Sequence, residues 1–498
     1  MTVKIFMTLD TIVAEKRGMT FFIICCISLF LWLYFLNRDI SRIGVYLLAI
    51  VGLFLIFKNE YKGDRKKLVL NISFLFFILM LLAFLLSNAC CSGTDYFNKP
   101  FIHMLVLFPF VLSSIYLSGW MKWLLIASLF YIVVCIISYS LSDHPLHSAK
   151  YFESHYAVYL IVAPIAYVIH KNRIHAKTIL FIFSISGIII GFGAIADLSG
   201  IARSQFWLFD EYPDEPNLTT VGIGLGMNSI HFAIVTVSLL ATVIAYLSMA
   251  ANRNNNIEIA LAVTSILFLL FALAMSGGRS AWISLPFVFI LPFVMSSWSA
   301  KVKLSFFMLL VLVLALALQM PYVQKRVNLV SEQITEYINS TDVNDSIRIS
   351  TSVGLRFELW RAAWEVFLSK PIIGSGPGNF RSRMQEIGLG TSDKFNHDIQ
   401  IHKNPHSLYF KALAERGVFG LVSTFLMLVL PGVLFLSHMS RMQSNNIRVI
   451  ALSGLLIVII FSLGGLTIGS LHKTELSIFY IFFSALFFGL LLSEKSNA

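Results

Sequence analysis

The chain has 498 residues, of which 57% are hydrophobic and only 13% charged, and its mean hydropathy is +0.80. Apolar residues at that density, gathered into long blocks, exclude a soluble globule and define a polytopic membrane protein. The formal net charge of +11 belongs to membrane topology and local sites, and gives no reason to invoke nucleic acid.

A helix needs roughly 20 apolar residues to cross about 30 Å of hydrocarbon, and it closes its backbone hydrogen bonds internally. Blocks bounded by charge, proline or polar clusters predict spans near 20–36, 41–57, 68–88, 101–117, 120–139, 154–170, 176–196, 222–248, 257–275, 280–297, 302–320, 417–437, 447–469 and 473–493. The expected fold is all-α, with about 12–14 transmembrane helices because the tight pairs could merge. It divides into an N-terminal transmembrane bundle over 1–320, a long outer loop with amphipathic helices over 321–416, and C-terminal transmembrane helices over 417–498.

The first segment is basic and then apolar like a signal peptide, but it lacks a small-residue cleavage site, so it reads as a retained helix. Lys58, Lys62, Arg65, Lys66 and Lys67, followed by Lys171, Arg173 and Lys177, favour a cytoplasmic N-terminus. The long 321–416 segment then lies outside, where its own charge does not decide orientation. Cys25, Cys26, Cys90, Cys91 and Cys135 show no metal-ligand spacing, and neither a metal nor another cofactor is implied.

Polar residues concentrate on the outer side, in 197–221, in the turn 276–280 (SGGRS) and in 321–416. Arg279 follows two glycines at a span boundary, where an arginine either snorkels to the interface or faces an enclosed polar cavity. The glycines favour close approach to a ligand or a neighbouring helix. In GLRFELWRAAWEVFLS, residues 354–369, the side chains Phe357, Trp360, Trp364 and Phe367 form one stripe, as in a helix lying along a membrane surface. KPIIGSGPGNF then ends that helix.

Arg356 is either a surface arginine or the partner of Arg279 in a fork for a diphosphate, because guanidinium groups bind phosphate oxygens bidentately. His406 is either an interfacial cap or a general base, and His402 is open to the same two readings. Arg203 shares its segment with Asp210, Glu211, Asp214 and Glu215, four carboxylates that read as a solvated loop or a divalent-cation site.

The motifs SGGRSAW, SVGLRFELWRAAWEVFLSKPIIGSGPGNF and NPHSLYFKALAERGVFGL, in that order, resemble the O-antigen ligase and O-antigen polymerase family. The resemblance implies a membrane glycosyltransferase of the bacterial inner membrane with its active site facing the periplasm. Its donor is an undecaprenyl-diphosphate-linked glycan, and its acceptor is lipid A–core in a ligase or a second lipid-linked glycan in a polymerase. It implies diphosphate binding by Arg279 and Arg356 and acceptor activation by His406, without a metal; Arg203 and His402 are softer matches. A transporter of the same lipid would instead carry charges along the middle of several spans. The predicted spans are almost free of them.

Overall fold

The computed structural model describes residues 121–142, 162–198, 229–252, 256–295, 321–339, 351–389, 402–441, 445–469 and 474–497, with scattered positions elsewhere. The expected spans at 20–36, 41–57, 68–88 and 101–117 lie essentially outside the described residues, as does the 197–221 segment except at its first two positions.

Among the described residues the elements are α1 (Met121–Ser140), α2 (Val162–Lys171), α3 (Ala176–Leu198), α4 (Ser229–Asn252), α5 (Asn256–Ser276), α6 (Arg279–Trp282), α7 (Leu285–Met295), α8 (Pro321–Asn339), α9 (Ser352–Ser369), α10 (Phe380–Glu386), α11 (Leu408–Arg441), α12 (Asn445–Gly464) and α13 (Thr474–Asn497). Six of them are long and apolar enough to cross a membrane: α3, α4, α5, α11, α12 and α13. The protein is an all-α polytopic membrane protein.

The innermost helix is α13, apolar around its whole circumference and accordingly buried on all sides. Its rings stack on neighbours from three helices: Phe483 on Phe183 at 5.1 Å, Phe488 on Phe435 at 4.1 Å and Phe479 on Phe461 at 6.4 Å. Small residues set the other close approaches, with Gly489 against Ile169, Gly454 against Phe435 and Gly187 against Ser265. Several hydroxyls inside the spans return to their own helix. Ser186 donates to Ile182, Ser238 to Ile234, Thr242 to Ser238 and Ser453 to Val449, so no other partner is needed in hydrocarbon.

Helix α11 turns Val418, Val422, Phe425, Val429, Val433 and Leu436 outward, a lipid-facing stripe at helical spacing. It begins at Leu408, nine residues ahead of the expected span at 417–437. Lys411, Glu415 and Arg416 make that first stretch read as loop, yet all three side chains are buried.

A second, smaller core sits at one end of the bundle, where Leu359, Ala362, Ala363 and Val366 of α9 meet Phe380, Met384 and Ala414. The buried face of α9 is thus this aliphatic one. The expected aromatic stripe runs beside it, with Trp360 half-buried and Trp364 exposed. Two adjacent alanines let α9 lie flat on α11, which bulky aromatic side chains would prevent.

Candidate functional site

The SGGRSAW segment is a tight corner between α5 and α7. Gly277 takes φ +64 to turn the chain, and Ser276 Oγ accepts from the Gly278 amide at 3.2 Å. A Cβ on Gly278 would collide with the Ala233 Cβ of α4, so this glycine permits the close helix approach expected for it. Arg279 is the next residue and opens the short helix α6, which packs on α4 and α12.

Arg356 lies in the first turn of α9 and is half-buried. Thr351 caps that turn, its side chain accepting from the Gly354 amide at 3.1 Å. One turn on, Trp360 stacks at 5.5 Å on Phe410 of α11 and meets Phe357 edge-on at 5.6 Å. Tyr337 of α8 extends the row, with its ring 5.2 Å from Phe357. The Tyr337 hydroxyl donates at 2.8 Å to Glu358, which is fully buried and also takes a 2.7 Å bond from Arg361 Nη1. Burial alone would lower the Arg361 pKa, but the Glu358 carboxylate beside it holds it above its ordinary value.

His406 is exposed and adopts φ +53, a left-handed conformation uncommon outside glycine. Asn404 Oδ1 accepts from the His406 amide at 3.1 Å, bracing the turn. The next residues are tied to the end of α12: the Leu408 amide donates to the Gly465 carbonyl at 2.8 Å and the Tyr409 hydroxyl to the Ser462 carbonyl at 2.8 Å. His402 is half-buried, and desolvation lowers its pKa, which favours the neutral imidazole.

These contacts run as a chain past the C-terminal end of α12. Gly278 abuts α4, Ile234 of α4 abuts Gly464, Gly465 accepts from Leu408, and Phe410 stacks on Trp360. The three motif segments therefore gather at one end of the bundle. Lys171, Arg173 and Lys177 lie at the other end, where Lys177 pairs with Glu258 at 2.5 Å. Arg203, Asp210, Glu211, Asp214 and Glu215 lie outside the described residues.

Sequence reasoning gave no role to Arg416, the largest fully buried side chain in the described structure. Its Nη1 donates to the Tyr131 hydroxyl at 2.9 Å, its Nη2 to Thr424 Oγ1 at 3.3 Å, and its guanidinium carbon stands 4.9 Å from the Tyr131 ring centre. Glu358 was missed in the same way. One signal was available for Arg416: Tyr131, Cys135, Ser138 and Ser142 recur at helical spacing, a polar line on an otherwise apolar helix.

Fold and geometry define a polytopic α-helical membrane protein with a polar, aromatic-lined region at one end of its bundle. Residues 264–425 match the family described as "O-Antigen ligase", a likeness that supports assignment to that family over this segment. A protein of Haemophilus influenzae (strain ATCC 51907 / DSM 11121 / KW20 / Rd), named "Uncharacterized protein", is 22% identical over 295 residues. That match covers 56% of this chain and 65% of the relative, so the chain spans just under two thirds of the relative's length.

Proposed function

We propose that the protein is an O-antigen ligase. It transfers a polysaccharide from undecaprenyl diphosphate to a sugar hydroxyl of lipid A–core, at the periplasmic face of the inner membrane, with its N-terminus in the cytoplasm. The observation that carries this reading is that the family match over 264–425 contains all three motif segments, which a chain of contacts past the end of α12 links in turn.

In this reading Arg279 and Arg356 bind the donor diphosphate, and Arg203 is a further candidate for the same task. As the bond from the sugar C1 to the diphosphate oxygen breaks, negative charge grows on the leaving group. Two guanidiniums at a water-poor boundary stabilise it more than they would in bulk water. His406 takes the proton from the acceptor hydroxyl as its oxygen attacks C1 from the face opposite the diphosphate, so the configuration inverts. His402 is the alternative base, and its lowered pKa keeps it in the proton-accepting form. Fixed cations take the electrostatic part that a metal ion plays elsewhere, so neither a metal nor another cofactor is required.

The exposed left-handed turn at His406 suits a residue that must reach a large, soft acceptor. The apolar flank of α11 suits a polyprenyl tail that stays in the bilayer while its head reaches the site.

Purified protein in proteoliposomes, given an undecaprenyl-diphosphate glycan and lipid A–core with a chelator present, is expected to yield glycan-bearing core. Joining of the glycan to a second lipid-linked glycan instead would make the protein a polymerase. Transfer to neither acceptor would reject the reading.

A further inference from the structure

Helix α11 does not run straight. At Gly417, with φ 65 and ψ −157, it breaks into a short half bearing Lys411, Glu415 and Arg416 and a long half in the lipid-facing wall. The break removes helical hydrogen bonds where water is scarce, and the backbone groups it releases need partners. The 371–376 loop supplies them. The Val418 amide, whose helical acceptor is the Ala414 carbonyl, donates to the Pro371 carbonyl at 2.8 Å. The Ala414 carbonyl accepts from the Ser375 amide at 3.0 Å, and the Glu415 carbonyl from the Gly376 amide at 2.9 Å.

Helix α1 closes the junction from the other side. Ser138 Oγ lies 2.8 Å from both the Ile373 and the Glu415 carbonyl oxygens, and Ser142 Oγ donates to the Ser375 carbonyl at 3.3 Å. Arg416 crosses the break itself, reaching Thr424 on the long half and Tyr131 and Cys135 on α1. Gly420 makes the room, since a Cβ there would collide with the Arg416 side chain.

A fully buried guanidinium is costly to keep inside a membrane protein, and nothing about packing alone requires a cation here. Because it is fully buried, it also does not meet substrate. From this geometry we infer that Arg416 is a positioning residue: bonded to Tyr131, it fixes the angle between the two halves of α11 and so sets where the His406 turn stands. The catalytic consequence rests on the proposed role of His406. The mechanical claim does not.

Two readouts separate these. Nitroxide labels at Lys403→Cys and Leu141→Cys, both exposed positions, report the distance from the His406 turn to the end of α1. With Arg416→Met that distance distribution is expected to broaden or shift, while Arg416→Lys restores it in part. In the transfer assay Arg416→Met is expected to lower kcat at least tenfold with the donor KM within twofold. Tyr131→Phe, which keeps the ring and removes the 2.9 Å bond, is expected to lower kcat severalfold and serves if Arg416→Met fails to fold.

An unchanged label distance in folded Arg416→Met, or in Tyr131→Phe where Arg416→Met does not fold, overturns the inference. So does a loss that falls on donor KM alone. A wild-type protein that transfers no glycan, yet whose labels respond as described, would sink the proposed function and leave the clamp standing.

Discussion

Replacing Gly417 by alanine tests the geometry of α11 at its weakest point. The observed φ of 65 with ψ −157 falls in a region open essentially to glycine alone, and holding alanine there costs roughly 1–3 kcal/mol. The added Cβ would also strike the Pro371 carbonyl and the Ile372 backbone, which have little room to yield because their loop is bonded on to α11 and α1. If the chain escapes by straightening into a continuous helix, the 2.8 Å bond from Val418 to Pro371 is lost, which sets about 1 kcal/mol against the escape. Strain and clash together, roughly 2–4 kcal/mol, outweigh it, and the bent form is disfavoured by roughly 1–3 kcal/mol, a shift of about five- to a hundred-and-sixtyfold. Straightening swings the short half, and the turn at His406 with it, away from the Gly465 carbonyl. Transfer activity in proteoliposomes should therefore fall by about fivefold or more, and the thermal transition should broaden or move down. Wild-type rate and melting behaviour in Gly417→Ala would refute both the bend and its importance.

Arg356→Ala should cost roughly 2–4 kcal/mol of transition-state stabilisation if it meets the diphosphate. That is a loss of about thirty- to a thousandfold in kcat/KM at normal membrane abundance, and a loss below threefold would return Arg356 to the role of a surface residue. Tyr337→Phe removes the 2.8 Å bond to buried Glu358 and should lower stability by about 1–2 kcal/mol, read as a lower melting temperature, with kcat nearly unchanged. Burial holds the His402 pKa below its ordinary 6.5, so on acidification the unfolded chain gains a proton that the folded one resists. Stability should therefore decline as pH falls through that region, and His402→Gln should flatten the decline; an identical slope in the variant would contradict the burial of His402.

The spans were legible because a membrane helix must be apolar along nearly its whole length. The expected spans at 120–139, 176–196 and 257–275 correspond to Met121–Ser140, Ala176–Leu198 and Asn256–Ser276. Legibility failed where a helix carries charge inside protein rather than against lipid. Residues 408–416 look like loop because hydropathy cannot anticipate that Tyr131, Thr424 and the 371–376 loop will receive Arg416 and its neighbours. The expected span at 280–297 matches the apolar stretch Ser280–Met295, but a turn divides it. Ser280 through Ser284 form the turn of α6 and its exit, with Ser284 Oγ bonded to the Ala281 carbonyl at 2.7 Å, while their composition blends into the span.

At the candidate site, motif order pointed to Arg279, Arg356 and His406 as residues to weigh together. It gave no sign of what braces them. Glu358 looked like one more exposed charge on an amphipathic helix, and only the packing of α8 and α9 shows it buried beneath Tyr337 and Arg361. A pairing between residues distant in sequence leaves no periodic trace in a single chain.

The central claim is that segments around Arg279, Arg356 and His406 share one lipid-accessible site for a polyprenyl diphosphate. Photocrosslinking with a benzophenone-bearing undecaprenyl diphosphate, followed by peptide mapping, tests it most directly. Labelled peptides should come from 276–282, 354–360 and 402–410 together, and unlabelled donor should compete all three away. Labelling confined to the opposite end, near Lys171, Arg173 and Arg448, would contradict the account.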